Sequence, residues 1–361
     1  MKKVFNIFSS RISKLIHKKL EIYNYKKDGF IKLKKIRQFK KINIFFINKG
    51  RIFTNSNDDA AYLKDNFVLA DPSYQYRNSK NSNIKKNFIF KNGINRFKKK
   101  FNGKIISIIS GGAAKHNYGH WLFDSISRLL IILKQKNSNK FDYLYVPSFK
   151  YKYQKEILRY LKIPLNKIIS SEKNKYIEGS EIICTNHPFK HRLDKISKSI
   201  IKEIRNTFLK FGKLSKIKGY KKIYIERDYS KLNLKGDLSK YRDSRILINN
   251  NEVKNYLKKN GFKSYKFNTL SFADQIKIFS KAKIIISMFG AELSNLVFCS
   301  KGTKVIEIKN NKTLNEFKNI SKIRMLKHHQ ISIKPLYKSI PLQNGIIRCN
   351  LDKLKNLLKT K

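Results

Sequence analysis

The sequence predicts an α/β protein with two domains in series, each holding a parallel, doubly wound sheet. Three observations carry this. Short apolar strands and amphipathic helices alternate from Lys104 to Phe211. A second such series starts at Lys222 after a Gly-, Lys- and Ser-rich break at Gly212–Tyr220. Finally, the run KIIISMFGAELSNLVFCSKGTKVIEI (Lys283–Ile308) reads as strand, Gly turn, short helix, strand. Backbone N–H groups at such a turn face the carboxyl edge of a sheet, where phosphate-bearing ligands bind.

The elements follow in order. Met1–Leu20 is a basic amphipathic helix, either lying on a membrane surface or packing like an ordinary helix. The rest of the first 50 residues is Lys-rich and poorly patterned. Phe67–Ala70 is strand-like and is followed by a turn at Asp71-Pro72-Ser73. Lys104–Ile109 is a strand ending in Ser110-Gly111-Gly112, and a helix runs from Asn117 to about Lys134. Asp142–Val146 is a strand and Tyr153–Leu161 a helix closed by Pro164. Lys167–Ser170 and Glu181–Cys184 are strand-like, His187–Asp194 is a loop, and Ile196–Phe211 is a helix ended by Gly212. The second series has a strand at Lys222–Glu226, a helix at Asn251–Asn260 and a strand at Ser264–Phe267. A helix capped by Ser271 follows, then strands at Lys283–Ser287 and Lys304–Ile308. Leu351–Leu358 is a terminal amphipathic helix. The expected organisation is a basic segment (1–50), two α/β domains (51–215 and 216–340) and a tail (341–361). Two such domains would leave a cleft between the carboxyl edges of their sheets, a favoured place for ligands.

Composition bounds the function classes. With 361 residues, 41% hydrophobic and 12% aromatic, the chain can bury real cores. Lys+Arg is 81 against Asp+Glu 24, a net charge of +57. That surplus suits nucleic acid or anionic glycan binding without catalysis, which is the alternative function carried here. The lysines are spread along the whole chain among many Asn and Ile, as drift toward A/T-rich codons would leave them. A nucleic-acid footprint clusters on one element, and no helix-turn-helix, zinc-finger or RNP pattern is present. Cys184, Cys299 and Cys349 lack metal or disulfide spacing and fit a reducing compartment. No apolar run approaches the ~18 residues of a membrane span, and the pattern of a secretory signal is missing. The expectation is a cytoplasmic protein, with the basic N-terminus able to touch the inner membrane face.

Four constellations could carry chemistry. In HNYGHWLFD (His116–Asp124), His120, Asp124 and Arg128 fall at i, i+4 and i+8 on one helical face, with His116 near the helix start. Two imidazoles and a carboxylate offer a general base or part of a metal site. A metal-dependent hydrolase using His116, His120 and Asp124 is a third reading. The plainer alternative is a surface Asp124–Arg128 ion pair beside a half-buried histidine. Arg227 stands where its strand ends, and its guanidinium, with Arg245, could hold a diphosphate; a solvent-facing arginine is the alternative. Gly290 permits a tight turn or a close backbone approach. Beside it Ser294 and Asn295 could donate hydrogen bonds, and Glu307 could accept from ribose hydroxyls. His187 and His191 have metal-like spacing but no acidic partner, and His328-His329 is similarly unsupported. Neither GxGxxG nor a Walker motif occurs.

Taken together, these residues resemble glycosyltransferase family 61, which includes bacterial capsular polysaccharide transferases and eukaryotic O-linked N-acetylglucosaminyl and xylosyl transferases. The resemblance covers about Gly111 to Ile308. It rests on HNYGHWLFD, on YIER (Tyr224–Arg227) followed by SRILINNNEV (Ser244–Val253), on SFADQIKIFSKAKIII (Ser271–Ile286), and on FGAELSN with VFCSKGTKVIEI (Phe289–Asn295, Val297–Ile308). It implies a GT-B-like pair of Rossmann-like domains and an inverting transfer from a nucleotide sugar, often UDP-linked. The acceptor would be a glycan, lipid-linked glycan or glycoprotein. Arg227 looks like the family arginine near the donor diphosphate, and Gly290 and Ala291 like its glycine–alanine turn. Two positions depart: Phe289 stands where the family often has His, and Glu292 where it often has Gly. An inverting transfer needs a base, which Asp124 or His120 could supply, with His116 a further catalytic candidate, and it needs stabilisers of the leaving diphosphate, which Arg227, Arg245 and the Gly290 turn could supply. No cofactor or divalent metal is then required, and nucleic acid is not expected as a partner. Asn57-Asp58-Asp59 lies far upstream and makes no convincing metal motif.

Overall fold

A computed structural model describes residues 20–23, 31–35, 38–39, 42–55, 59–73, 76–77, 80–81, 83–109, 113–135, 140–189, 193–229, 232, 237–339, 341 and 343–360. The expected N-terminal helix and the Ser110-Gly111-Gly112 turn lie outside these residues, as do Asn57, Asp58 and His191. The chain divides into two compact units, Met1–Arg192 and Leu193–Lys361. The helix Lys198–Phe208 thus belongs to the second unit, whereas the sequence reading set the domain boundary after it. Its buried face explains the assignment: Phe208 packs its ring against Phe272 at 5.4 Å, and Phe272 packs against Phe298 at 5.9 Å.

The first unit is built on a ten-stranded sheet. Its long strand Tyr176–Thr185 pairs in parallel with Lys99–Ser107, which pairs in parallel with Tyr143–Val146, and that strand with Ile168–Ser170. On its other side the same strand pairs antiparallel with Asn43–Asn48 and Arg51–Thr54. The expectation of a wholly parallel, doubly wound sheet is corrected here to a mixed one. The strands missed in the first 50 residues, Ile31–Lys35 and Asn43–Asn48, form a hairpin whose lysines face outward while Ile44, Phe45 and Ile47 are fully buried. Ile44 and Phe45 are neighbours on opposite faces and both are buried, so Asn43–Asn48 lacks the alternation that marks a half-buried strand, and lysines crowd Ile31–Lys35.

The helix after Lys99–Ser107 opens with Asn117, whose Oδ1 accepts from the Gly119 and His120 N–H groups at 2.8 and 3.2 Å. It is not regular. Tyr118–His120 is α-helical, Trp121–Ile126 makes wide π-helical turns, and Ser127–Leu133 returns to α. Every residue from Trp121 to Ile132 is buried. Arg128, 1% exposed, donates from Nη1 to the carbonyls of Ile109 and Thr185, both at 3.1 Å. It thereby ties the helix to the carboxyl ends of two neighbouring parallel strands. Burial pushes its charged form down, and Tyr62 and Asp124 only partly offset this. Since Asp124 is 0% exposed, the surface ion pair weighed for these residues is ruled out.

The second unit holds a five-stranded, all-parallel sheet. In chain order its strands are Lys222–Glu226, Lys263–Lys266, Ile284–Met288, Lys304–Asn310 and Lys327–Ile333. In space they run second, first, third, fourth, fifth. Tyr224, Ile286, Ile306 and Ile308 pack with Val253 and Leu257 of helix Asn250–Lys259 and Leu354 of helix Leu351–Lys359. The alternate residues Ile223, Ile225, Ile285 and Val305 are also buried, as a parallel sheet covered on both faces requires. Helix Phe272–Lys281 starts with the expected Ser271 cap, reciprocated by Asp274. No helix among the described residues is long and apolar enough to cross a membrane.

Replacing Arg128 by methionine leaves two strand-end carbonyls without their donor. Urea denaturation should show a loss of about 3 kcal/mol; a loss under about 0.5 kcal/mol would show that Arg128 does not join these strands.

Candidate functional site

Two arrangements of predicted residues form, one in each unit. In the first unit His120 and Asp124 meet. His120 Nδ1 lies 2.7 Å from Asp124 Oδ2, with the imidazole 30% exposed and the carboxylate fully buried. The buried end of the pair therefore anchors and the exposed end reaches solvent. A carboxylate on Nδ1 fixes the tautomer in which Nε2 is the nitrogen that can take up a proton. His116, one turn earlier, is exposed and lies 3.4 Å from the Tyr151 hydroxyl through Nδ1. It is not part of the His120–Asp124 hydrogen bond. Among the described residues, no three His, Cys, Asp or Glu side chains gather as a metal ion would need.

In the second unit the order of strands makes a crevice by itself. The chain leaves the first strand to one side, then crosses back to build the third, fourth and fifth on the other. Connections diverge between the first and third strands, and ligands of open α/β sheets bind at that point, beyond the carboxyl ends. Arg227 is the residue after the first strand; Phe289 and Gly290 follow the third. These ends meet. Arg227 Nη1 donates to the Phe289 carbonyl at 3.4 Å. A Cβ on Gly290 would stand 2.3 Å from Glu292 Oε2 and 2.8 Å from Arg227 Nη1. Gly290 has extended backbone, so its lack of a side chain serves space and not a special φ.

Arg245 joins them from the strand Arg245–Leu247. Its guanidinium lies 5.2 Å from the centre of the Phe289 ring, and its Nε donates to Asn344 Oδ1 at 2.9 Å. Burial first, and the Arg227 charge second, make its protonated form harder to keep, while Glu292 and Glu316 favour it. Two guanidiniums held beside a strand-end crevice are the kind of donor set that an anion requires. Of the two departures from the family pattern, Phe289 touches both arginines, through its carbonyl and its ring, and Glu292 acts on Arg245 by its charge.

The remaining predicted residues support the crevice from below. Ala291 begins the 3-10 helix Ala291–Phe298. Ser294 is fully buried, with no hydrogen-bond partner for its hydroxyl among the described residues. Asn295 donates to Gln275 Oε1 at 3.0 Å and to the Glu292 carbonyl at 3.1 Å, pinning the 3-10 helix to helix Phe272–Lys281. Glu307 is 1% exposed, and its Oε2 takes His328 Nε2 at 3.0 Å and Gln330 Nε2 at 2.7 Å. His328 Nδ1 in turn lies 2.6 Å from Ser321 Oγ. His328, unsupported in the sequence, is therefore the centre of a buried chain. The fifth strand that brings it there was not read from the sequence. His187 is buried, with its ring edge-on to Phe189 at 5.1 Å. Tyr229 was also missed; its hydroxyl oxygen accepts from the Leu247 N–H at 3.0 Å and links the Arg245 strand to the first strand's end.

Glu307→Ala would leave the His328 imidazole and the Gln330 amide without their shared acceptor. Unfolding free energy should fall by about 3 kcal/mol; an unchanged melting temperature would show that this chain bears no structural load.

No curated protein matches the chain. A family model described as Glycosyltransferase 61 matches residues 118–306. That span begins in the turn that presents His120, takes in Arg227, Arg245 and the Gly290 turn, and ends in the fourth strand beside Glu307. Over more than half its length, and across both arrangements, the chain belongs to the glycosyltransferase 61 family.

Proposed function

We propose that this glycosyltransferase is an inverting enzyme that moves a sugar from a nucleotide-sugar donor, UDP-linked by preference, to a glycan, lipid-linked glycan or glycoprotein. The observation that carries the reading is the meeting of Arg227, Arg245 and Gly290 at the strand-order reversal of the second unit. Guanidiniums bind diphosphates through paired N–H donors, and a strand-end crevice is where nucleotides sit in open parallel sheets. The second unit, with its all-parallel sheet, is then the donor side and the first, with its mixed sheet, the acceptor side, the division of work a GT-B transferase makes. The Gly290–Ala291 backbone lets a phosphate approach closely. Glu307, if it serves the donor, does so from behind the crevice, through the chain it forms with His328 and Gln330.

The reaction follows from these assignments. The acceptor hydroxyl oxygen attacks the anomeric carbon from the face opposite the diphosphate. The bond from that carbon to the diphosphate oxygen breaks, and its electron pair stays with the leaving group. Arg227 and Arg245 offset the charge that develops there. The acceptor proton passes to His120 Nε2, the exposed end of the His120–Asp124 pair, while Asp124 positions the ring and stabilises the imidazolium. Between Asp124 and His120, the exposure difference favours His120 as the base. With two arginines in this role the chemistry asks for no divalent metal. The buried free thiols of Cys184, Cys299 and Cys349 fit a cytoplasmic enzyme, and the bacterial branch of the family suggests envelope polysaccharide as product.

Purified protein incubated with a panel of nucleotide sugars should release the nucleoside diphosphate. Arg227→Ala should weaken UDP binding about 10- to 100-fold, as loss of a charged hydrogen-bond donor predicts. Asp124→Asn should cut kcat by about 100-fold or more while leaving UDP affinity within about twofold. A folded protein that binds no nucleotide would end this reading, and full activity of Asp124→Asn would end the assignment of the base.

A further inference from the structure

The helix start that presents His120 also carries an aromatic cluster that the transfer chemistry does not use. Tyr151 and Tyr153 stack with ring centres 5.5 Å apart and planes 8° from parallel. Tyr153 meets Tyr118 edge-on at 5.3 Å, and Tyr118 lies two residues before His120. His116 stands edge-on to Tyr151 at 6.4 Å, with its Nδ1 3.4 Å from the Tyr151 hydroxyl. The stack is held in place. The Gln154 carboxamide oxygen accepts from the Tyr151 N–H at 3.1 Å, and its Nε2 donates to the Lys115 carbonyl at 3.3 Å, joining the two segments.

Two features of this cluster are not explained by packing. Tyr151 is 40% exposed although one of its ring faces is covered by Tyr153. The Tyr153 hydroxyl is buried and has no hydrogen-bond partner among the described residues. An exposed aromatic ring already fixed by stacking loses little freedom when something lies on it. An unpaired buried hydroxyl costs about 1–3 kcal/mol until a polar group or water meets it.

Taking the glycosyltransferase reading as its basis, we infer that Tyr151 and Tyr153, bordered by His116, form a stacking platform for a sugar ring of the acceptor, next to the His120 base. A pyranose has the matching two-sided chemistry. Its C–H face is apolar and fits a flat aromatic ring, and its rim of hydroxyls can exchange hydrogen bonds with the His116 imidazole and the Tyr151 hydroxyl. Tyr118 links the platform to the helix turn that holds His120, two residues further on. Tyr151 is then a specificity-determining residue and not a catalytic one. The platform also explains why His116 is exposed and separate from the His120–Asp124 pair: it addresses the acceptor.

Saturation-transfer NMR of the full chain with methyl glycosides of glucose, galactose, N-acetylglucosamine and xylose tests this, with UDP titrated separately. Ring C–H protons of at least one glycoside should receive saturation. Tyr151→Ala should weaken that glycoside roughly tenfold, Tyr151→Trp should retain it, and both should bind UDP as the native protein does. Far-UV circular dichroism checks that each variant is folded. No transfer to any glycoside, or equal transfer with Tyr151→Ala, overturns the platform. An equal loss of UDP affinity in Tyr151→Ala would mean that a nucleobase lies there, and overturns it too. UDP binding by the native protein with no glycoside contact would defeat the platform alone; a chain that binds no nucleoside diphosphate would defeat the transferase reading itself.

Discussion

The second unit depends on one constraint, the reversal of strand order beside its first strand. A parallel sheet needs a crossover after every strand, and each crossover packs with the same hand. When the chain lays its second strand on one side of the first and its third on the other, the two connections must part. The gap they leave opens at the carboxyl ends, where the backbone turns away and side chains of the next residues project. Arg227 and Phe289-Gly290 occupy those two ends for no reason beyond chain order. The arginine pair, the contact with the Phe289 ring and the absence of a side chain at Gly290 are consequences of filling one narrow gap.

That constraint also explains why the family departures matter physically. A ring at Phe289 gives Arg245 a face to lie on, 5.2 Å from its centre. A carboxylate at Glu292 sits against the space above Gly290 and favours the charged form of Arg245. Where the family often has an imidazole and a glycine, this chain has an aromatic face and an anion. Both changes act on Arg245, so they alter the surroundings of the arginine pair without removing either arginine. The net charge of +57 contributes little to this picture: the cations that matter are two arginines in defined contacts, among lysines spread over the surface.

Much of the fold was legible in the chain because buried parallel strands are nearly continuous apolar runs. Ile284–Ile286 and Ile223–Ile225 announced themselves, as did the Ser271 cap. The His120–Asp124 contact was legible from spacing, since residues four apart share a helical face. What spacing could not reveal was the π-helical stretch at Trp121–Ile126, which depends on how a fully buried helix accommodates Arg128 and its carbonyl partners. The hairpin was masked by the lysines of Ile31–Lys35 and by the lack of alternation in Asn43–Asn48. The strand Lys327–Ile333 was masked by two histidines and a glutamine in a segment that turns out to pair along its whole length. The Glu307–His328 link and the Tyr151–Tyr118 cluster join residues far apart in sequence, and no local pattern announces such contacts. Tyr151 and Phe289 carry no motif of their own; only their neighbours in space give them a role.

On the proposed reading, the crevice at the strand-order reversal receives a diphosphate. A crystal structure of the protein with UDP bound tests it most directly. The account predicts both phosphates between Arg227 and Arg245, against the Gly290 backbone and above Glu292. Diphosphate density elsewhere on the chain, with the Arg227–Phe289 contact unchanged and the crevice filled only by solvent, would contradict it.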